Sequence, residues 1–140
     1  MKILKIIIIT MAIVVLGVMI YPFENLTIIK SVEILNEGKI VHLGEILKYK
    51  YSYHKKIGIP GELQKFLVEI RTGETVILSS FIGNIPSGDH EVVGEVRIPY
   101  TTDILGNAVI LFKYQYDYFG GLRTSYGSFK SEVFEIKRNR

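Results

Sequence analysis

Glu45-Ile-Leu-Lys-Tyr-Lys-Tyr-Ser-Tyr53 is the stretch that decides how this chain folds. Leu47, Tyr49, Tyr51 and Tyr53 fall on one side of a two-residue period, and Lys48, Lys50 and Ser52 fall on the other. Successive side chains of an extended strand point to opposite faces, so this split reads as a strand with one buried and one wet face. Working outward, the same signal recurs. Ile28–Leu35 is a strand closed by Asn36-Glu37-Gly38, and Lys39–Leu43 continues it after a bend. Beyond the loop Gly58-Ile-Pro-Gly61, Gln64–Arg71 places Phe66, Val68 and Ile70 together, and Thr72-Gly73-Glu74 turns the chain into Thr75–Ser80. The connection Gly83–Asp89 leads to His90–Pro99, where Val92, Val96 and Ile98 alternate. After a loop at Thr101–Gly106, Asn107–Tyr118 aligns Ala108, Ile110, Phe112, Tyr114 and Tyr116. Gly120-Gly121 makes the next turn and Thr124–Lys137 closes the series.

About seven strands at short spacing, with no amphipathic helix after residue 22, predict an all-β fold. The expected architecture is an antiparallel sandwich that buries the alternating sets between two sheets. Ile85-Pro-Ser-Gly-Asp-His90, Val96-Arg-Ile-Pro99, the Tyr-rich Asn107–Tyr118 segment and Ser131-Glu-Val-Phe-Glu-Ile136 resemble the immunoglobulin-like or fibronectin-type β-sandwich of bacterial and phage surface proteins. The resemblance spans residues 28–137 and lies in the pattern of turns and strand ends. The Cys-Trp-Cys core of antibody domains is absent, since the chain has neither Cys nor Trp. The resemblance implies a fold and no particular activity.

The N-terminus is of another kind. Lys2 and Lys5 precede an apolar run, Ile6–Ile20, interrupted only by Thr10 and Gly17. As a helix, the 19 residues from Ile3 to Tyr21 span about 28 Å, close to the roughly 30 Å hydrocarbon thickness of a bilayer. Tyr21 and Phe23 suit the far interface, and Pro22 ends the helix. In Gly17-Val-Met-Ile-Tyr21 bulky residues stand where a signal peptidase needs small ones, which favours an uncleaved anchor over a secreted, processed chain. The two lysines orient it with the N-terminus cytoplasmic and the C-terminal domain outside. The expected organisation is therefore a transmembrane signal-anchor helix at 1–22, a short linker at 23–27, the sandwich at 28–137 and a basic tail at 138–140.

The net charge of +3 suggests nucleic acid until it is located. Of the 17 Lys and Arg, Lys2, Lys5, Lys137, Arg138 and Arg140 lie at the ends, so Pro22–Ile136 carries 12 against 14 Asp and Glu. A domain that binds phosphates collects its cations on one face, and this one has no such excess. Nucleic acid is not an expected partner.

No constellation of residues specifies catalysis. The absence of Cys excludes disulfides, thiolate metal sites and a Cys nucleophile. His42, His54 and His90 lack the spacing that sets two metal ligands on one element, and Ser87-Gly-Asp-His90 reads as a turn in which Asp89 bonds its own backbone. There is no Gly-x-Ser-x-Gly elbow. Glu69, Glu91, Glu95 and Glu135 lie in strands at positions expected to face solvent, and Gly120-Gly121 lacks the strand-to-helix setting of a phosphate loop. Asn25-Leu-Thr27 matches a glycosylation sequon too close to the span to be a good acceptor. No enzyme activity, cofactor or metal is expected.

What remains is recognition. Most of the tyrosines alternate as a core does, but Tyr53, Tyr118 and Phe119 sit at strand ends beside the Gly58–Gly61 and Gly120–Gly121 loops. With Ile59 and Arg123 they form the candidate partner-binding residues, expected to be exposed at one end of the sandwich. The leading expectation is a membrane-anchored, non-catalytic module that binds a protein through these loops or a sheet edge. The alternative is a small structural or accessory subunit of a membrane or phage assembly, held by its N-terminal helix.

Overall fold

The structure, a computed structural model, describes residues 1–20, 27–56, 58–118, 121 and 123–139. It has one apolar helix followed by a mostly β domain. Helix α1 covers Lys2–Ile20, and none of its residues is buried. It is long and apolar enough to cross a membrane.

Among the described residues nine strands follow: β1 (Thr27–Ile34), β2 (Ile40–His42), β3 (Ile46–Lys55), β4 (Pro60–Glu69), β5 (Thr75–Asn84), β6 (Gly88–Arg97), β7 (Gly106–Tyr118), β8 (Arg123–Lys130) and β9 (Phe134–Lys137). They form two sheets, one ordered β1-β3-β6 and the other β2-β9-β7-β4-β5, with β8 also paired to β7. One of the two sheets curls into a half-barrel. One core of buried side chains draws on both sheets, including Ile34 of β1, Leu47 and Tyr49 of β3, Leu67 of β4, Ile110 and Phe112 of β7 and Phe134 of β9.

Two departures account for nine strands where about seven are expected. First, the segment after Asn36 does not continue β1. Gly38 and Lys39 both take positive φ in a short 3-10 turn, and the chain crosses to the other sheet, where β2 pairs in parallel with β9. Asn36 pins the crossing, accepting from the Lys48 amide at 2.7 Å and donating to the Ile46 carbonyl at 3.1 Å. Second, Thr124–Lys137 is two strands. At Ser131 the side-chain oxygen accepts from the Ile110 amide at 2.9 Å and donates to the Glu132 carbonyl at 2.7 Å. The hydroxyl replaces ladder hydrogen bonds and lets the chain break between β8 and β9.

The break has a use. Glu132 swings to the open edge of β1, where its amide donates to the Val32 carbonyl at 3.2 Å and its carboxylate accepts from the Ile34 amide at 2.7 Å. Lys39 closes the group at 2.5 Å from the other carboxylate oxygen. The two sheets are thus stitched along one side. Both bonds to the charged form, that from Lys39 first, hold the Glu132 carboxyl below its ordinary pKa.

The expected faces hold for β3, β6 and β7 and fail for β4. Phe66, Val68 and Ile70 do share a face, but it is the outer one: Leu67 is the fully buried residue, and the Lys113 ammonium lies over the Phe66 ring. Glu69 shares Leu67's parity and is buried rather than solvent-facing, its carboxylate receiving the Thr72 hydroxyl at the β4–β5 hairpin. Glu91 and Glu95 are exposed on β6 as expected, each within reach of a β3 lysine, Lys50 and Lys48 respectively.

Candidate binding surfaces

β1 begins, β3 ends and β6 begins at one end of the domain, since Thr27 pairs with Lys55 and Lys55 with Gly88. The other sheet reaches this end through Gly61 opposite Tyr116 and Tyr118 opposite Arg123. Gly61 and the mouth of the β7–β8 hairpin therefore lie at the end of the domain where β1 begins.

The residues expected to form an exposed patch there behave differently from one another. Tyr53 is 6% exposed, so its expected exposure is corrected: its parity with Leu47 and Tyr49 turns it inward, where its ring stacks on His90 with centroids 5.2 Å apart. Ile59 is half-buried against Tyr116. Tyr118 and Arg123 face each other in register at the mouth of the β7–β8 hairpin. Phe119 lies outside the described residues.

Behind these loops is a group that the sequence analysis missed. Lys55 is the last residue of β3, on the inward parity of that strand, and only 1% exposed. Its ammonium donates to the carbonyls of Ile59 at 2.6 Å and Ile85 at 2.8 Å and lies 4.5 Å from the centre of the Tyr116 ring. Removal from water lowers its pKa. Nearby, the Thr27 hydroxyl donates to the Tyr116 oxygen at 2.7 Å and the Tyr114 hydroxyl to the Thr27 carbonyl at 2.9 Å. A cavity of about 20 Å³ between Thr27, Tyr51, Tyr53, Leu63 and the two tyrosines is room for a single water at most. Among the described residues this end is a closed clamp on the start of β1.

The catalytic candidates remain scattered. Among the described residues no three His, Cys, Asp or Glu side chains converge as a metal site. Asp89 is in strand β6, not in a turn bonding itself, because it is in register with His54 across the ladder. Its carboxylate meets Lys30 at 3.2 Å and His54 at 3.1 Å, and these contacts, Lys30 first, lower its pKa. His90 bonds the Ser87 carbonyl at 2.7 Å. His42 meets Glu45 at 3.1 Å. On the outer face of β4, β7 and β8 there is an open depression of about 510 Å³ lined by Glu62, Gln64, Lys113, Gln115 and Tyr126. It is open to solvent, and its lining mixes these polar side chains with the rings of Tyr114 and Tyr126.

The most distinctive surface is a strand edge. β5 pairs with β4 on one side, and among the described residues no strand pairs with its other side. Ten residues long, Thr75-Val-Ile-Leu-Ser-Ser-Phe-Ile-Gly-Asn84 contains no charge and no proline. Ile77 and Ile82 are 70% and 77% exposed and Phe81 about half. Edge strands are ordinarily guarded by charges or Pro, because their unpaired amides and carbonyls template another strand. β6 shows the guarded form, with Asp89, Glu91, Glu95 and Arg97 along it. The one guard on β5 is a bulge at Leu78, which lacks a partner where Lys65 pairs Ser79 and Phe66 pairs Ile77.

No protein-family model matches this chain, and no curated protein matches it. Among solved structures it is similar to the alkylpurine DNA glycosylase AlkC of Pseudomonas fluorescens, bound to DNA containing an abasic site analog, at 14% identity and a TM-score of 0.47, covering 80% of this chain and 30% of that one. It is also similar to the sporulation control protein Spo0M of Bacillus subtilis, at 15% identity and a TM-score of 0.47, covering 81% of this chain and 50% of that one. The chain spans at most half the length of either, and likenesses this distant carry neither protein's activity to it.

Proposed function

We propose that this chain is a single-pass, membrane-anchored, immunoglobulin-like binding module that lies outside the cytoplasm and acts by association rather than catalysis. The observation that carries this reading is the long, uncharged outer edge of β5. An extended segment of a partner protein adds to such an edge through main-chain hydrogen bonds, while pockets beside it select side chains. Strand order supports the fold reading. β1-β3-β6 facing β9-β7-β4-β5, with β2 crossing over to run parallel to β9, matches the division of strands in an immunoglobulin-like sandwich with an added edge strand.

The anchor supports the same assignment. Lys2 and Lys5 keep the N-terminus cytoplasmic, and α1 has the length to cross. From Ile20 to Thr27 is seven residue steps, about 24 Å when fully extended. The clamped end of the domain is therefore tethered near the bilayer, which leaves the β5 edge and the opposite end for partners.

The test is photo-crosslinking in intact membranes from probes at Ile82, Ile59 and Asp103. The proposal expects one discrete adduct from Ile82 and none from Asp103 on the opposite end. Adducts of every size from all three sites, or none from any, would overturn it. Exchanging α1 for an unrelated span should leave the Ile82 adduct intact; its loss would favour the structural-subunit alternative, in which the helix carries the specificity.

A further inference from the structure

The sequence of β5 reads nearly alike in both directions. From the centre, Ser79-Ser80, it runs outward through Leu78 and Phe81, Ile77 and Ile82, Val76 and Gly83, to Thr75 and Asn84. A strand that pairs antiparallel with a copy of itself about a two-fold axis places each residue opposite its mirror position. Toward its ends that arrangement would set Ile77 against Ile82, Val76 against Gly83 and Thr75 against Asn84.

The pleat decides whether such a register is physical, because side chains opposite each other must lie on one face. In a regular strand Ile77 and Ile82, five residues apart, would point to opposite faces. The bulge at Leu78, left unpaired in each copy, removes the conflict. Ser79 and Ser80 lie opposite Lys65 and Gln64 and so point to opposite faces, which places the axis at Ser80, with Ser79 opposite Phe81. Ile77 lies opposite Phe66 and Ile82 opposite Glu62, and Phe66 and Glu62 share the outer face of the regular strand β4. Both isoleucines therefore point outward on the same face, and both are largely exposed. The feature that looks like an edge guard is what makes the edge self-complementary.

We infer that the occupant of the β5 edge is a second copy of this chain, paired antiparallel about Ser80 with Leu78 of each copy bulged out of the register, so that Ile77 of each copy meets Ile82 of the other. The inference rests on the edge reading above and names its partner. Charge supports it: two copies of an uncharged strand bring no like charges together, whereas two β6 edges would oppose rows of carboxylates. A ten-residue edge is a small interface for a soluble dimer. Anchoring both copies in one bilayer raises their effective concentration and favours a weak, specific contact. Antiparallel pairing turns the second domain end for end, so the joined sheet lies along the membrane, each helix leaving from its own clamped end.

The natural absence of cysteine makes the test clean. Ile77→Cys/Ile82→Cys in the full chain, oxidised in intact membranes, should give a covalent dimer on non-reducing gels. Within one copy the two positions are about 16 Å apart along the strand, too far for an internal bridge. Ile77→Cys alone and Ile82→Cys alone should stay monomeric, since each faces the other type of residue. Adding Ser80→Lys to the double-cysteine chain should cut dimer yield at least tenfold without changing its membrane extraction. No covalent dimer, equal yields from the single variants, or a yield indifferent to Ser80→Lys would overturn the inference. An Ile82 photo-adduct to a different protein with no self-dimer would retain the binding reading and reject the second copy. Release of the chain by alkaline carbonate would reject the anchor and leave the dimer result standing.

Discussion

At the scale of single residues, the informative groups are polar side chains held where the fold needs a bond that the backbone does not supply. Glu132 receives the Ile34 amide and the Lys39 ammonium, and its carboxyl is held below its usual pKa. A carboxylate with a depressed folded-state pKa stabilises the fold above its unfolded value, and that contribution is lost as pH falls through the folded one. Thermal melting at pH 7 and pH 3 should therefore show a smaller acid penalty in Glu132→Gln than in the parent chain. At pH 7 the variant should lose about 1 to 2 kcal/mol, the scale of a partly exposed charge-assisted hydrogen bond. An identical acid penalty in both would show that Glu132 does not bridge the sheets. Lys55 is a second case. Truncation to Ala strips a buried four-carbon stem and leaves the Ile59 and Ile85 carbonyls without their donor. The expected cost in chemical denaturation is about 2 to 4 kcal/mol, with faster amide exchange at Gly58 and Ser87; a neutral variant would contradict the clamp. Lys55 was legible in principle, because it continues the inward parity of Leu47, Tyr49, Tyr51 and Tyr53. The charge hid it, since a lysine at a strand end ordinarily faces water.

At the scale of elements, periodicity located the β segments but neither all of their breaks nor their partners. β3 and β7 were plain because each has one buried and one polar face. β4 misled because Phe66, Val68 and Ile70 are apolar on the outer face while Lys65 and Glu69 sit on the inner one. The crossing at Glu37–Lys39 and the break at Ser131 were invisible because each turns on a local hydrogen bond, from Asn36 and Ser131, that interrupts an otherwise continuous pattern. The edge of β5 was read too short, ending at Ser80, although Phe81 and Ile82 prolong the uncharged run. The pairing of β3 with β6 is itself testable. Gly94 lies opposite Tyr49, and a β-carbon on Gly94 would sit 2.4 Å from the Tyr49 ring, which is fully buried and has nowhere to go. Gly94→Ala should destabilise the domain by about 1 to 3 kcal/mol, while Gly58→Ala, where the nearest atom is 3.8 Å away, should not. Equal melting temperatures for both would show that the ring does not lie on Gly94.

At the scale of the molecule, an apolar N-terminal helix precedes a β domain that is closed at the end where β1 begins and has an open strand edge at its side. The candidate site was legible only in part. Behind the loops named from the sequence the described side chains pack as a clamp, and the edge proposed for a partner lies along β5. The central claim is that the helix crosses a membrane and leaves the β domain outside the cytoplasm. In a chain without cysteine, one measurement addresses it: labelling of intact cells with a membrane-impermeant maleimide, using Glu74→Cys in the exposed β4–β5 turn and Lys2→Cys at the start of α1. The account predicts that Glu74→Cys is labelled in intact cells and Lys2→Cys only after the membrane is opened. Labelling of Lys2→Cys but not Glu74→Cys in intact cells, or protection of both until lysis, would contradict it.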